Sequence, residues 1–389
     1  MKEPLKICIS LNLDYAINRY HKTLQGIQNY AKANTDWILV WDHYPHLLLN
    51  ETAVGDKPVY DGVIGRIKYP AYEQMKRLSI PGVNLWTNSE ISELPSVFPD
   101  FYQSGILAAE HLIRRGFKNF INIDSTEKAA SVFLAGIKEA IKPYKYKVKR
   151  YRTNRLFSET ENAWRKQKDL FRSWIEEWEY PLAICSSASS SGPAIVTHCR
   201  ENNIRIPQDV ALVTVGQEES YCESIDPHLS CVETDYVMVG YEAAKMLHMQ
   251  LKGIIVDNEH VLVQPKGLIA RASTDTYTTE DEVVRETLRY IADNIHKNIL
   301  VSDLVANVAI SRRSLEYRFQ RSIGHNMTDE INRLRIISMK RLLADSSCKI
   351  NTLYKQAGFS SALHMRRVFT KITGMTPSVY RRSLKNDFK

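Results

Sequence analysis

Along roughly the first two thirds of the chain, apolar runs of strand length alternate with stretches whose apolar residues recur every three or four positions. Lys6–Leu11 (K-I-C-I-S-L), Trp37–Trp41 (W-I-L-V-W), Tyr60–Gly65 (Y-D-G-V-I-G) and Pro81–Trp86 (P-G-V-N-L-W) read as strands. Arg19–Ala33, with Leu24, Ile27 and Tyr30 inward, and Ala71–Leu78 read as helices between them. From about Asp100 to Leu251 the theme repeats. Tyr102–Gly116 reads as a helix closed by its glycine, and Phe120–Ile123, Leu182–Cys185 and Val210–Gly216 as strands. The basic run Lys142–Arg155 alternates like an exposed, solvated strand. Such alternation implies parallel sheets with helices on both faces. The pattern predicts a two-lobed α/β part over residues 1–271, with lobes of about 5–98 and 100–250 joined by crossover segments. The polar, Thr-rich stretch Ala272–Asp281 reads as a linker.

Beyond it only the helical period remains. Thr279 or Asp281 can cap a helix over Glu282–Lys297, and two copies of one helical unit follow. In the first, Ser302 caps a short helix with Leu304, Val305 and Val308 inward, Ala309-Ile310 forms the turn, and Ser311 caps a second helix. Leu315 and Phe319 lie on its inner face, with Arg312, Arg313, Glu316 and Gln320 opposite. In the second copy Ile350 and Leu353 open a short helix, Gly358 supplies the turn, and Ser360 caps the next helix. Met365 and Phe369 face inward there, leaving Ser361, Ala362, Arg366 and Arg367 outside. Met327–Ala344, with Ile331, Leu334, Ile337, Leu342 and Leu343 apolar, reads as a packed strut between the copies. The prediction is an all-α double helix-turn-helix domain over residues 282–389. The second helix of such a unit can lie in a major groove, and two braced units can enter successive grooves. An ordinary helical bundle is the alternative.

Charge weighs toward nucleic acid. Residues 280–389 hold 20 Lys+Arg against 11 Asp+Glu, a net of +9, whereas residues 1–279 carry a net of −1. The positive excess therefore coincides with the helical pair, where phosphate contacts are needed.

R-L-R-I-I-S-M-K-R-L-L (333–343), A-G-F-S-S-A-L-H-M-R-R-V-F (357–369) and G-M-T-P-S-V-Y-R (374–381) resemble the AraC-type regulators over about Glu282–Ser383. The resemblance implies that the helices led by Ser311 and Ser360 read DNA. It makes Arg313, Glu316 and Tyr317 base-facing in the first, and Ala362, Leu363, Arg366 and Arg367 in the second. Arg312 and Ser361 flank them on the outer faces. The departures are Ala309 in place of a turn glycine, Val305 and Tyr354 in place of small packing residues, and Met365 in place of an aromatic. Tyr354 is expected to press on its neighbour helix. Base readout in the second unit looks apolar.

Asp100–Phe120, Ile204–Gly216 and Val239–Leu247 resemble the LacI-type sensor domain, with its type I periplasmic-binding-protein fold, over about Lys6–Arg271. An AraC-type unit following such a sensor resembles the arrangement of the xylose-regulator group. The resemblance implies two lobes closing on a small effector, usually a sugar such as a pentose. Two aspartates usual in that family are replaced by Ser187 and by Gly216-Gln217. Because carboxylates suit vicinal hydroxyls, their loss opens other ligands. The serine-rich loop Ser186–Ser191 before Pro193 suits the start of a helix, where a sugar phosphate or another anion can bind, or it is a flexible loop without ligand. Strand ends offer Asn12, Asp14, Tyr15, Arg19, Arg66, Trp86, Asp100, Ser187 and Gln217 as ligand-binding candidates, with Glu218 beside them.

The expected partners are double-stranded DNA, a small-molecule effector, a second copy of the chain as a homodimer and, for an activator, RNA polymerase. No run is long and apolar enough to span a bilayer, and the start M-K-E-P-L-K lacks a signal peptide's apolar core. Six scattered cysteines without a CxxC pair or clustered histidines suggest reduced, buried thiols in a cytoplasmic protein, with no metal and no cofactor. GxSxG, Walker, HExxH and dinucleotide fingerprints are absent, and no catalytic residue is assigned. Two further readings remain open: a sensor-like domain serving as a ligand-free dimerisation scaffold, and a sugar-modifying enzyme fused to a DNA-binding unit.

Overall fold

The computed structural model describes residues 3–11, 18–53, 56–124, 127–152, 160–216, 218–254, 256, 260–279, 281–345 and 349–386. Among these, contacts divide the chain into two units, residues 1–114 with 118–275, and residues 115–117 with 276–389.

In the first unit the apolar runs build two six-stranded sheets. The first lobe contributes β1 (Lys6–Ser10), α1 (Asn18–Asn34), β2 (Ile38–Trp41), α2 (Pro45–Glu51), β3 (Gly62–Gly65), α3 (Tyr69–Arg77), β4 (Gly82–Asn84) and β5 (Ser96–Pro99). The chain then crosses to α4 (Phe101–Ile113), β6 (Asn119–Asp124), α5 (Lys128–Ile141), β7 (Val148–Arg152), α6 (Glu161–Ile175), β8 (Leu182–Ser186), α7 (Gly192–Glu201), β9 (Val210–Val215), α8 (Glu219–Cys222) and β10 (Ser230–Glu233). It returns through α9 (Tyr236–Leu251) to β11 (His260–Val263) and crosses a third time to β12 (Gly267–Ile269). The sheet orders are β11-β5-β4-β3-β1-β2 and β12-β10-β9-β8-β6-β7, parallel except where β12 meets β10.

The central strands are buried on both faces, as parallel strands under helices must be. Ile7, Ile9 and Ile64 pack with Ile27 and Leu247 on one side, and Cys8 and Val63 with Leu49 and Met75 on the other. Reciprocal glycines bring helices together without intervening side chains. A Cβ on Gly26 would strike the Val237 carbonyl oxygen of α9, and one on Gly240 the Thr23 carbonyl oxygen of α1. Gly105 and Gly136 do the same for α4 and α5. The basic run holds an edge strand, β7, whose Lys149 and Tyr151 both bond Glu177. The composition of residues 272–274 reads as linker, but they form a buried turn. Ser273 Oγ donates to Leu212 O (2.6 Å), and Thr274 Oγ1 bonds Ser230 Oγ (2.7 Å) and His111 Nε2 (2.8 Å).

The second unit comprises α10 (Glu282–Asn294), α11 (Val301–Val308), α12 (Arg312–Ile323), α13 (Met327–Asp345), α14 (Ile350–Gln356), α15 (Ala362–Thr373) and α16 (Pro377–Asn386). Asp281, rather than Thr279, caps α10, accepting from Val284 N at 3.2 Å. Ser302 caps nothing. The helix begins one residue earlier, and Asp303 Oδ2 accepts the Leu300 N–H at 2.8 Å. Ser311 caps α12 as expected, but α15 is capped by Ser361, not Ser360: its hydroxyl accepts from His364 N at 3.1 Å. Each helical pair closes its own core, Leu304, Leu315 and Phe319 in one, Leu353, Met365 and Phe369 in the other. The strut α13 serves both, with Ile331 in the first and Leu343 in the second. Leu334 and Leu342 are partly buried against them, and the Ile337 side chain lies outside the description. Tyr354 is accommodated half-buried at the edge of the second core.

The two turns differ in strain. Gly358 (φ +74°) packs so closely that a Cβ would strike the Ile295 carbonyl oxygen, whereas exposed Ala309 holds a left-handed φ of 51° with a side chain present. A left-handed non-glycine residue costs about 1 kcal/mol. Ala309→Gly is therefore expected to raise, and Gly358→Ala to lower, the urea midpoint of the helical unit by an effect of that order or more, followed by far-UV circular dichroism.

Candidate functional site

Registered on their capping serines, α12 and α15 superimpose position by position: Leu315 and Phe319 match Met365 and Phe369, and Gly324 matches Gly374 as left-handed terminators. The outward ridge is then Arg312, Arg313, Glu316 and Tyr317 on one helix and Ala362, Leu363, Arg366 and Arg367 on the other. Except for half-buried Ala362 these are exposed. Tyr317 and Leu363, at 65% and 70% exposure, are large apolar surfaces that no core explains. Arg312 Nε donates to Glu316 Oε1 at 2.8 Å, so this pair neutralises itself, while Arg313 has no partner among the described residues. Arg366 Nη2 donates to Asn351 Oδ1 at 2.5 Å. Ser361, expected on the outer face, holds the helix start through its hydroxyl. At the start of α13, Glu330 is 1% exposed and accepts from Arg333 Nη2 (2.7 Å) and Arg333 Nε and His325 Nε2 (both 2.8 Å). Burial alone would raise its carboxyl, but these bonds win and hold it at about 2.

In the first unit, three of the strand-end candidates meet. Arg19, Arg66 and Trp86 line one cavity of about 300 Å³, together with Tyr20, Asn88, Glu127 and Tyr236 from both lobes. The Arg66 guanidinium lies 5.1 Å over the Trp86 ring, and Arg19 Nη2 and Arg66 Nη1 each approach Tyr20 Oη at 3.4 Å. Arg66 Nε is buried without a partner. Burial opposes the charge of Arg19, but Tyr236, Tyr20 and Glu218 around it outweigh that and raise its guanidinium further. Glu218 is in turn raised by burial, offset in part by Arg19 and Lys22.

Two candidates lie elsewhere. Asp100 is a helix cap: one oxygen accepts from Gln103 N and the other from Gln264 Nε2, both at 2.8 Å, and it lines a separate, largely apolar cavity of about 400 Å³. Ser187 bonds Asp124 through its hydroxyl and, at 3.1 Å, through its N–H. Asn12, Asp14, Tyr15 and Gln217 lie outside the described residues, as does Cys348. The serine-rich loop is an ordered turn, Ser189–Ser191, leading into α7, with Ser189 buried and Pro193 in the first turn.

Asp124 went unnoticed in the sequence although it ends the run F-I-N-I-D. The carboxylate missing at 187 is present on the neighbouring strand, 2% exposed, with Oδ2 unpartnered. Burial pushes it up to about 6 despite hydrogen bonds from Ser187 and Asn122. A free aspartate titrates near ~3.9, so the protonated form stabilises the fold, and that contribution is lost as pH rises through about 6. Asp124→Asn is expected to raise the melting temperature at pH 8 and leave it nearly unchanged at pH 4.5. Equal shifts at both pH values would contradict this.

The chain matches the periplasmic binding protein-like domain family over residues 109–274 and a helix-turn-helix domain family over residues 304–383. It is similar to the xylose operon regulatory protein of Haemophilus influenzae, 22% identical over 386 residues, 97% of this chain and 98% of that protein. The Escherichia coli K12 xylose operon regulatory protein is 27% identical over 218 residues, and that match spans only 56% of either chain. A solved structure of a xylose-binding transcription activator, xylR, shares the fold with a TM-score of 0.70, at 21% identity and covering 98% of this chain and 99% of that one. Among the described residues no helix is long and apolar enough to cross a membrane.

Proposed function

We propose that this chain, a periplasmic-binding-protein-like domain joined to an AraC-type double helix-turn-helix domain, is a ligand-responsive, DNA-binding transcription regulator of carbohydrate-utilisation genes. The observation that carries the reading is the register of α12 and α15. Two helices of one unit, held on one strut, present the same four ridge positions outward, and phosphate-seeking charge surrounds them. The chain acts in the cytoplasm as a homodimer, activates transcription through contact with RNA polymerase, and binds one small sugar or sugar derivative per sensor. Names borne by its relatives make a pentose the first effector to try. Effector binding falls to Arg19, Arg66, Trp86 and Tyr20. Trp86 offers a face for a sugar ring, and the unpartnered Arg66 Nε offers a hydrogen bond to its oxygens. That donor favours a ligand-binding sensor over a ligand-free scaffold.

The first test is binding of the purified chain to its own upstream DNA, titrated with pentoses, hexoses and their phosphates. An effector that shifts DNA affinity several-fold supports the reading. No binding at moderate salt, or tight binding that no sugar alters, counts against it. Trp86→Ala is expected to abolish the effector's shift while leaving DNA affinity without effector unchanged.

The two recognition helices differ in chemistry. Exposed Leu363 suits a thymine methyl, and burying one methyl is worth about 0.8 kcal/mol. Replacing thymine by uracil at one operator position should therefore weaken wild-type binding several-fold and leave Leu363→Ala indifferent. Equal loss in both proteins would remove Leu363 from readout. Arg313→Ala should relax selectivity at particular bases without changing the salt dependence much.

A further inference from the structure

One buried cluster has no part in the reading above. Cys222 closes α8 and Cys231 lies within β10, both fully buried. Arg271 Nη1 donates to Cys231 Sγ at 3.1 Å and to Leu229 O at 2.9 Å, and its Nη2 donates to Glu223 Oε1 at 2.7 Å. Cys222 and Cys231 belong to one buried core cluster; the Leu229 N–H donates to Cys222 O at 2.8 Å, and the Cys222 thiol donates to Gly216 O, 3.6 Å away. Two cysteines of one core cluster thus sit together with a guanidinium in contact with one of them, the setting that favours its thiolate. The neighbouring Cys222, helped by Arg271, outweighs burial and lowers the Cys231 thiol, while the same neighbour and burial push Cys222 up. Burial raises Cys8, Cys185 and Cys199, and among the described residues none of them has a cation in contact. Sequence spacing suggested six alike, inert thiols. The structure distinguishes this pair.

We propose that Cys222 and Cys231 are a peroxide-sensitive pair that closes to a reversible disulfide. The Cys231 thiolate attacks one peroxide oxygen, the O–O bond breaks, and hydroxide leaves, giving a sulfenic acid. The Cys222 thiol then attacks that sulfur, forming the S–S bond and releasing water. Counting the proton first lost by Cys231, one peroxide is reduced to two waters and two thiols are oxidised to one disulfide. A dithiol such as dithiothreitol reverses the step by exchange. Both sulfurs are covered, so a small oxidant must enter by local opening of the one-turn helix α8. The bond ties α8 to β10. Glu218, whose carboxyl feels the charge of the cavity residue Arg19, immediately precedes α8, so oxidation would fix a segment next to that residue.

The test exposes the reduced full-length chain to hydrogen peroxide, alkylates it in denaturant and cuts after Glu223, which separates the two cysteines. The expected result is a Cys222–Cys231 cross-linked fragment pair, loss of two of the six alkylatable thiols, and recovery of both with dithiothreitol. Cys222→Ser should leave a sulfenic acid at Cys231 that a dimedone-type reagent captures, and Arg271→Gln should slow cross-linking several-fold. Six alkylatable thiols after treatment, or a disulfide between other cysteines, would overturn the proposal. Should a substitution prevent folding, the reaction of the unsubstituted chain still decides.

Discussion

Arg335, in the middle of α13, is 4% exposed; its Nε is buried without a partner, and its charge is answered elsewhere on the group. Its Nη2 donates to the carbonyls of Lys297 and Ile299, at 3.3 and 3.2 Å, in the segment joining α10 to α11. Its flat face lies 5.6 Å from the ring centre of Phe359, in the turn of the second helical pair. Burial lowers its pKa, yet the charge persists because a guanidinium is so strong a base. One side chain on the strut therefore touches both helical pairs, and Gly358 packs on the Ile295 carbonyl beside it. This contact joins the apolar faces of α13, in both cores, in fixing the relation between α12 and α15. On the proposed reading, two helices that moved independently could not hold one register on a duplex.

The cleft uses a different device. There the cations are gathered rather than paired: Arg19 and Arg66 converge on Tyr20 Oη, and the aromatic face of Trp86 supports the second. Side chains come from the ends of β3 and β4, from the start of α1 and from the start of α9 at Tyr236. Strand carboxyl ends supply such groups because the backbone stops there while the sheet still fixes its direction.

Much of this was legible in the sequence. The strands that fill the sheet centres, and every helix of the second unit except α16, carry their own period, because burial on a fixed face leaves a fixed spacing. Arg19, Arg66 and Trp86 could be found because each follows a strand signal. β5, β11 and β12 could not. They are three or four residues long, and β11 is exposed over three of its four positions, so pairing with distant partners and not local pattern makes them strands. Ser360 and Ser361 are chemically alike, and only backbone geometry decides which caps α15. Asp100 resembles a ligand carboxylate in a list of residues but is held by Gln103 and Gln264. The environment of Cys231 depends on Arg271, forty residues away, and has no signature in spacing.

The interleaving of the two lobes also bears on how the chain is made. The first lobe pairs β5 with β11 and packs α1 against α9, so its sheet cannot be completed until residue 263 has left the ribosome. The second lobe lacks only β12 once residue 233 has emerged. The segment synthesised first thus waits for one synthesised much later, with the apolar faces of β1 and β3 uncovered meanwhile. Both sheets thus await a late edge strand, and the amino-terminal lobe, which also awaits α9, is the part that waits longest during translation.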